Sequence, residues 1–560
     1  MKYNYFFCVL CCLLFSKVQG QQIDIEGLTT VPKLRLSGGI NANGMYYNSN
    51  LASDSSREPF TYMLSGNLQL NWATFNMPIS YTLTNQGDQL GYQVPFNFNR
   101  LSIAPKYKWI QAYIGDASMS FSNYTLNGHP FTGLGIEFTP SGPLKWSLMG
   151  GRLLKAVEGD TVAQLPAVYE RYGYGAKLLA EQEKYVVEWI TFYAKDKQNS
   201  IVNHFDVIPK ENWVNSLRVK TTLIKNVNIE AEYARSTMSD LNPFVVTAAK
   251  ESTEAISKTK YHKKAFKATL NYKIDTYLLG VVYENVDPEY QTLGAMFFNN
   301  DLENVGLTFS GPFLQNRLMV STQLGYQRDN LNGKKQQDSK RLVGSINATL
   351  KITEQLNLSG NYSNFSTYTN RRLDQFDYIN DPNMNPADTL NYKQLSQNLN
   401  ANLNYVFGAQ KHQNINFNYS IAGQANKQGG VIRKGQSSTV QNYNLVHTIQ
   451  FKEAQWALSS SVNYTNNQIS TANNEAFGGG VNVNKRFFDN ALQSGFGVLY
   501  NMSTAANHQK NRVFGMKVNG NYTVLTHHNF SLNGIQMFRN PASGVAMNDL
   551  TLNFNYSYSF

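Results

Sequence analysis

Polar and apolar residues alternate along most of this chain. The C-terminal stretch is the plainest case. Leu550, Leu552, Phe554, Tyr556, Tyr558 and Phe560 share one parity, and Thr551, Asn553, Asn555, Ser557 and Ser559 share the other. Successive side chains of a strand point to opposite faces, so the segment reads as a strand with one greasy and one polar face. A strand of a soluble sandwich can alternate in this way. A chain that stops on an aromatic, with its apolar parity unbroken, looks like the last strand of a bacterial outer-membrane barrel, greasy toward lipid and polar toward a wet lumen. The same rule holds for Phe60, Tyr62, Leu64, Gly66, Leu68, Leu70 and Trp72, and for Leu342, Gly344, Ile346, Ala348, Leu350 and Ile352. It also holds for Leu399, Ala401, Leu403, Tyr405 and Phe407, for Ile415, Phe417 and Tyr419, and for Phe514, Met516, Val518, Gly520, Tyr522 and Val524. Such alternation predicts half-buried strands. Ten residues rising about 3.3 Å each and tilted about 45° cover roughly 24 Å, close to the apolar band of a membrane barrel.

The connections alternate as well. Tight turns are expected near Asn76-Met77-Pro78, Ser141-Gly142-Pro143, Thr353-Glu354-Gln355, Lys452-Glu453-Ala454 and Leu525-Thr526-His527. Between them lie longer polar stretches: Asn48–Glu58, Thr237–Lys263, Asn370–Asn391, Gln424–Val440 and Met502–Asn511. Short turns on one side and long loops on the other mark an outer-membrane barrel, with its long loops extracellular and both termini periplasmic. The fold class is therefore all-β, a large single transmembrane antiparallel up-and-down barrel over 33–560, of about 26 strands within a range of roughly 22–26. Residues 21–32 form a short periplasmic segment, too short for a plug domain.

The other end changes the picture by adding an address. Met1–Gly20 has a charged start at Lys2, an apolar core from Tyr5 to Phe15, and Val18-Gln19-Gly20 as a small-residue cleavage site. This pattern is a secretory signal peptide, 1–20, whose core of about 11 residues is too short to span a bilayer. A lipoprotein leader is the competing reading, because Cys8, Cys11 and Cys12 lie here; Leu10 stands before Cys11 where a small residue is usual. All three cysteines of the chain lie in this leader, so the mature protein would hold no disulfide or cysteine metal site. Mean hydropathy is negative, as alternation requires when opposite parities cancel. No segment after the leader approaches the uninterrupted apolar length of a transmembrane helix. With 34 Tyr and 32 Phe the chain is rich in residues suited to a membrane interface. The formal charge is +11; losing Lys2 and Lys17 leaves +9, a mild bias toward anions or toward lipopolysaccharide phosphates.

Several stretches carry a family likeness. They are Tyr107-Lys108-Trp109, Tyr124–His129, Gly151–Val157, Val286-Asp287-Pro288-Glu289-Tyr290 and Asn299–Asn304, mainly in the N-terminal half. Through them the chain resembles a large, poorly characterised group of Bacteroidota outer-membrane barrel proteins. The resemblance implies location and fold. It implies no activity and no site residues.

Candidate chemistry is sparse. The histidines, His129, His204, His262, His412, His447, His508, His527 and His528, are scattered, with no H-E-x-x-H pattern and no cysteine partner for zinc. His447 shares the apolar parity of Tyr443, Leu445, Ile449 and Phe451; a membrane lipase would need a serine and an acid beside it, and no spacing singles these out. Asp374, Asp377, Asp381 and Asp388, with Asn380, Asn383 and Asn385 between them, offer oxygen ligands for calcium, but turns use the same residues. Lys258, Lys260, Lys263, Lys264 and Lys267 form a basic cluster around His262, either a solvated loop or a contact for lipopolysaccharide phosphates. Gly128, Gly133, Gly135 and Gly478-Gly479-Gly480 make no phosphate loop and are read as bends or bulges. No catalytic, cofactor-binding or metal residue is therefore singled out, no cofactor is expected, and nothing suggests nucleic acid.

The reading that follows is a passive pore or transporter for small polar solutes, because the face toward the lumen is rich in Asn, Ser, Thr and Gln. Charges of both signs dot that face, for example Lys33 and Arg35, Arg218 and Lys220, and Glu230 and Glu232. An alternative is a barrel bound to a periplasmic or surface protein in a secretion or display assembly, since so wide a barrel without a plug domain invites an occupant. An outer-membrane enzyme is the third reading.

Overall fold

The computed structural model describes residues 34–50, 59–85, 99–159, 167–202, 207–241, 258–334, 340–364, 366–368, 393–408, 412–428, 431–469, 472–505 and 509–560. The leader, residues 21–32 and Lys33 lie outside this set.

The strands are β1 Arg35–Ser49, β2 Phe60–Trp72, β3 Phe75–Thr84, β4 Arg100–Ile103, β5 Lys106–Tyr107, β6 Ile110–Ser120, β7 Asn127–Phe138, β8 Leu144–Leu154, β9 Arg171–Glu181 and β10 Tyr185–Asp196. They continue as β11 Lys210–Ile224, β12 Val227–Leu241, β13 Lys258–Ile274, β14 Tyr277–Val286, β15 Leu302–Phe313, β16 Leu318–Arg328, β17 Lys340–Lys351, β18 Leu356–Ser363 and β19 Ser366–Tyr368. The rest are β20 Lys393–Phe407, β21 His412–Gln428, β22 Val431–Phe451, β23 Trp456–Ile469, β24 Ala472–Phe487, β25 Leu492–Thr504, β26 Lys510–Val524, β27 His528–Asn540 and β28 Met547–Ser559. All belong to one antiparallel sheet. β4 and β5 are two pieces of one stave, both pairing with β3 and β6, separated at Pro105, which has no N–H to give the ladder. β18 and β19 both pair with β20 and form another, so the 28 strands make 26 staves.

β1 pairs with β28 from Gly39↔Ser559 to Ser49↔Asp549, which closes the ring. Phe560 and Gly38 exchange a backbone pair at 2.9 and 3.0 Å just beyond it. Closure gives the sheet two faces, and the register carries each face round. On three neighbouring staves Trp189, Trp213 and Tyr233 are 49%, 55% and 44% exposed, whereas Ile190, Val214 and Ala234 are fully covered. The second set faces inward, as the segments packed on it show below. Following paired residues round the ring brings that inward face to Asn533, Asn553, Asn43, Met63 and Thr84. Asn553 and Asn555 are thus inward and Leu552 and Phe554 outward. Asn555 Nδ2 donates to Asn41 Oδ1 at 2.9 Å and Asn43 Oδ1 at 2.6 Å on the inner face.

The tight turns lie at one end. Ala73, Asn226 and Asp275 take φ of 52°, 70° and 50° in two-residue hairpins, the twist such turns require. The first turn is Ala73-Thr74, so Asn76–Pro78 belong to β3 and not to the turn expected there. The other end departs further from expectation. Thr237–Leu241 and Lys258–Lys263 are strand, and 242–257 lie outside the described residues. Most of Gln424–Val440 is strand too, with two residues between β21 and β22, and β25 and β26 extend into Met502–Asn511. Polar composition misled there because an inward strand face is polar as well. The stretch Asn370–Asn391 lies outside the described residues.

The parity can be checked directly. Leu552→Arg should cost about 2–4 kcal/mol of folding free energy in a lipid bilayer, and Asn553→Arg close to nothing. Urea titration of folding into vesicles measures both; equal losses would mean the two faces are assigned the wrong way round.

Candidate functional site

Two connections turn into the barrel and meet. One is the short segment Phe121–Leu126 between β6 and β7. The other is Asp287–Asp301 between β14 and β15. Seven strand spacings of about 4.8 Å separate β7 from β14, on the order of 34 Å along the wall. Contact between the segments therefore crosses the concave side. Asn127 N–H donates to Gly294 O at 2.9 Å. Tyr290 Oη donates to Tyr124 O at 2.7 Å, and Thr292 Oγ1 to Thr125 O at 2.6 Å.

The wall beneath is apolar where the segments rest. Ile190, Phe192, Met149, Leu153 and Met238 from the strands are buried with Phe121, Leu126 and Leu293 from the segments. A second cluster holds Tyr124, Tyr290 and Phe298 against Ala234, Ala265 and Val286. Tyr290 packs on Phe298 at 5.0 Å and edge-on to Tyr124 at 6.4 Å, spacings at which aromatic rings attract. This burial selects non-alternating apolar residues in the connections, while the underlying strands keep their period of two.

Polar anchors fix the position. Asn212, fully buried on β11, accepts the Leu293 N–H at 3.0 Å and donates to Ser236 Oγ at 2.8 Å and Thr237 O at 3.1 Å. Ser236 Oγ donates in turn to Gln291 O at 2.6 Å. Tyr124 Oη donates to Glu284 Oε1 at 2.5 Å. Arg218 pairs with Glu188 and donates to Phe121 O at 3.4 Å. Lys177 Nζ lies 5.5 Å from the Phe121 ring centre. Gly294 allows the closest approach: a Cβ there would sit 2.6 Å from Thr125 O and 2.8 Å from the Phe192 ring. The product is a ledge on the inner wall of β6–β15.

Burial raises the phenol pKa of Tyr124, with Glu284 adding to it, and burial raises that of Tyr290. Both stay protonated through neutral pH, as donors to Glu284 and to Tyr124 O require.

The rest of the lining is different. On the inner face of β17–β28 and β1–β3 the side chains are largely amides and hydroxyls. Asn361 bonds Asn347 at 2.8 Å, Asn402 and Asn416 bond each other at 3.0 and 3.2 Å, and Thr465 bonds Asn442 at 2.7 Å. Of the inward charges on the ledge side, Lys220 meets Glu230 at 3.3 Å, and Glu232 accepts from Ser216 at 2.7 Å.

The residues singled out from sequence scatter. His129 is buried with Nδ1 2.7 Å from Pro130 O, and His262 is exposed beside Thr237. His447 faces outward against Gln413 at 3.1 Å, His527 meets Ser559 O, and His528 meets Tyr556 Oη. His204, His508 and the Asp374–Asp388 stretch lie outside the described residues. Among the described residues no three His, Cys, Asp or Glu side chains cluster as a metal site. The basic cluster is not a loop: Lys258–Lys267 is part of β13, with Lys263 and Lys267 inward and Lys260 and Lys264 outward. Gly128, with φ 63°, stands beside a register shift between Ser118 and Ser120, a bulge as expected. Gly478–Gly480 make none; their register is regular, and Gly478 lets the Asn501 side chain lie over it. What sequence reading missed is the ledge. Its signal was the loss of alternation over Asp287–Asp301, in a connection too apolar for a solvated loop.

No family model matches the chain, and a search of curated proteins gave no match. Among solved structures it is similar to the P pilus usher PapC translocation pore, at 8% identity and TM-score 0.36, covering 94% of this chain and 100% of that one. It is similar to the FrpB iron transporter from Neisseria meningitidis, at 11% identity and TM-score 0.37, over 93% and 82%. The copper transporter OprC gives 10% and 0.37, over 94% and 80%. Likeness at this level bears on neither the cargo nor the mechanism of this chain.

Two outcomes test the ledge. Asn212→Leu should cost about 1–3 kcal/mol, the penalty for orphaning buried groups, and should make Asp287–Asp301 cleavable by protease in the folded barrel. Alkali should act on the same contact. A raised folded-state tyrosine pKa gives stabilisation that is complete below the ordinary value of 10.0 and fades as pH climbs through the folded value. Cleavage of the segment should therefore increase only above about pH 10, and Tyr124→Phe should flatten the rise.

Proposed function

We propose that this protein is an integral outer-membrane pore for small polar solutes, narrowed from one side by the ledge. The observation that carries the reading is the division of faces: one register gives an exterior with an apolar band, such as Trp189, Leu217, Tyr233 and Phe266, and an interior of amides, hydroxyls and charges. Backbone groups in lipid must all be satisfied, which favours a closed barrel, and an apolar exterior suits acyl chains. The lining offers weak, repeated hydrogen bonds, suited to entry and exit rather than to tight binding. The turn end faces the periplasm with both termini, and the other end faces the outside, in keeping with the resemblance to Bacteroidota barrels. Four of the five stretches that carry that resemblance, Tyr124–His129, Gly151–Val157, Val286–Tyr290 and Asn299–Asn304, contribute to the ledge, its supporting wall or its ends.

A second reading rests on one observation. The ledge reaches from β6–β15, and among the described residues no segment covers the amide-lined opposite wall, so a partner protein could occupy the remaining lumen, as in a secretion or display assembly.

Purified protein in planar bilayers should give steady conductance with weak selectivity. Replacing Pro288–Asn300 with a short Gly-Ser link should raise the unit conductance. Bilayers that stay silent, together with a stoichiometric protein recovered from the outer membrane, would hand the function to the partner-bound reading.

A further inference from the structure

We propose that the outer wall at β12–β13 holds the phosphate groups of an anionic membrane lipid, bound between Arg235 and Lys264. The inference rests on the membrane reading above.

The register sets these two residues directly opposite each other on the outward face. Both side chains are exposed. Directly opposed residues of an antiparallel pair have Cα atoms only about 4.5–5.5 Å apart, so two cations there repel. Among the described residues neither has a carboxylate partner. The neighbouring outward cations differ. Arg328 is opposite Glu303 and pairs with it, while Tyr283 Oη donates to the same carboxylate at 2.9 Å. Lys195 stands opposite Glu211. Asp287, near Lys264, is turned to its backbone, with Oδ2 accepting the N–H at 2.8 Å. Arg235 and Lys264 instead face each other, and among the described residues no carboxylate lies between them.

The position names the occupant. One step toward the turn end in the same register come Trp189, Leu217, Tyr233 and Phe266, the border of the apolar band. One step the other way, Trp213 fixes its indole by donating to Thr191 Oγ1 at 2.9 Å, and exposed His262 lies two strands across on β13, with Thr237 between them. A cation pair just above an apolar band, flanked by ring systems, meets the level of lipid head groups. Lipid phosphates accept charge-assisted hydrogen bonds from both cations and remove their repulsion. A free soluble anion would find the charge but not the acyl surface below it.

The test uses native mass spectrometry of the full-length barrel extracted in mild detergent, with added lipopolysaccharide as the probe. Wild type should retain the phosphorylated lipid, and Arg235→Gln with Lys264→Gln should lose about tenfold of it. Inorganic phosphate should neither bind measurably nor compete, and dephosphorylated lipid should not be retained. Lys264→Glu supplies the missing carboxylate. It should raise the temperature at which the lipid-free barrel unfolds on unheated gels while abolishing retention, a pairing that a merely structural role for Lys264 would not produce. Equal retention by wild type and the double Gln variant, or full displacement by inorganic phosphate, overturns the proposal. Failure of the chain to fractionate with outer membranes would instead overturn the membrane reading beneath it.

Discussion

The structure depends on one constraint: the ring must close in register. A strand edge left open presents unpaired N–H and C=O groups, and a sheet of this length has no other place to put them. β28 meets β1 with Asn555 opposite Asn43 and Phe554 opposite Gly44. A slip of one residue there would send Asn553 and Asn555 outward and Phe554, Tyr556 and Tyr558 inward. The side-chain bonds from Asn555 to Asn41 and Asn43 act against that slip at the seam itself. With closure fixed, each stave inherits its inward and outward faces from its neighbour.

The ledge exploits the same constraint from within. A connection that enters the barrel carries backbone groups away from bulk water, and each must find a partner. Asn212 shows how the wall provides one, since a single amide accepts from Leu293 and donates to both Ser236 and Thr237. Apolar burial under Phe192 and Met238 provides adhesion, and these bonds provide position. Neither would suffice alone. Adhesion without partners would orphan the backbone of Gln291–Gly294, and partners without burial would exchange with water at little net gain.

Much of the fold was legible and most of the site was not, for related reasons. Alternation is a local signal, so Leu550–Phe560 disclosed both strand and parity, and the strand number followed from counting such runs. Loop ends were harder. Lys258–Lys267 is as polar as a solvated loop, yet it is strand, because a stave that stands above the apolar band has polar residues on both faces. The ledge is harder still. Tyr124 and Tyr290 lie 166 residues apart in sequence, and nothing in either neighbourhood names the other. The breakdown of alternation at Asp287–Asp301 indicated that something other than solvent covers the segment, but not what.

The barrel is chemically lopsided, and the asymmetry is informative. The ledge side mixes buried rings, methionines and ion pairs such as Arg218–Glu188, while the opposite wall repeats asparagine with few charges. Charges beneath a packed ledge hold their geometry through fixed partners, a counter-ion for Arg218 and Lys220 and a hydroxyl for Glu232 and Glu284. They steer a passing solute less than bare charges would. The opposite wall has the reverse character: amides bonded to one another keep spare donors and acceptors, and exchanging one such bond for a bond to a solute costs little. Under the pore reading, a solute would be confined by one wall and handed along the other. Rigidity and permissiveness are thus assigned to different arcs of the same ring. The division arises because Phe121–Leu126 and Asp287–Asp301, anchored far apart on the wall, turn inward and meet.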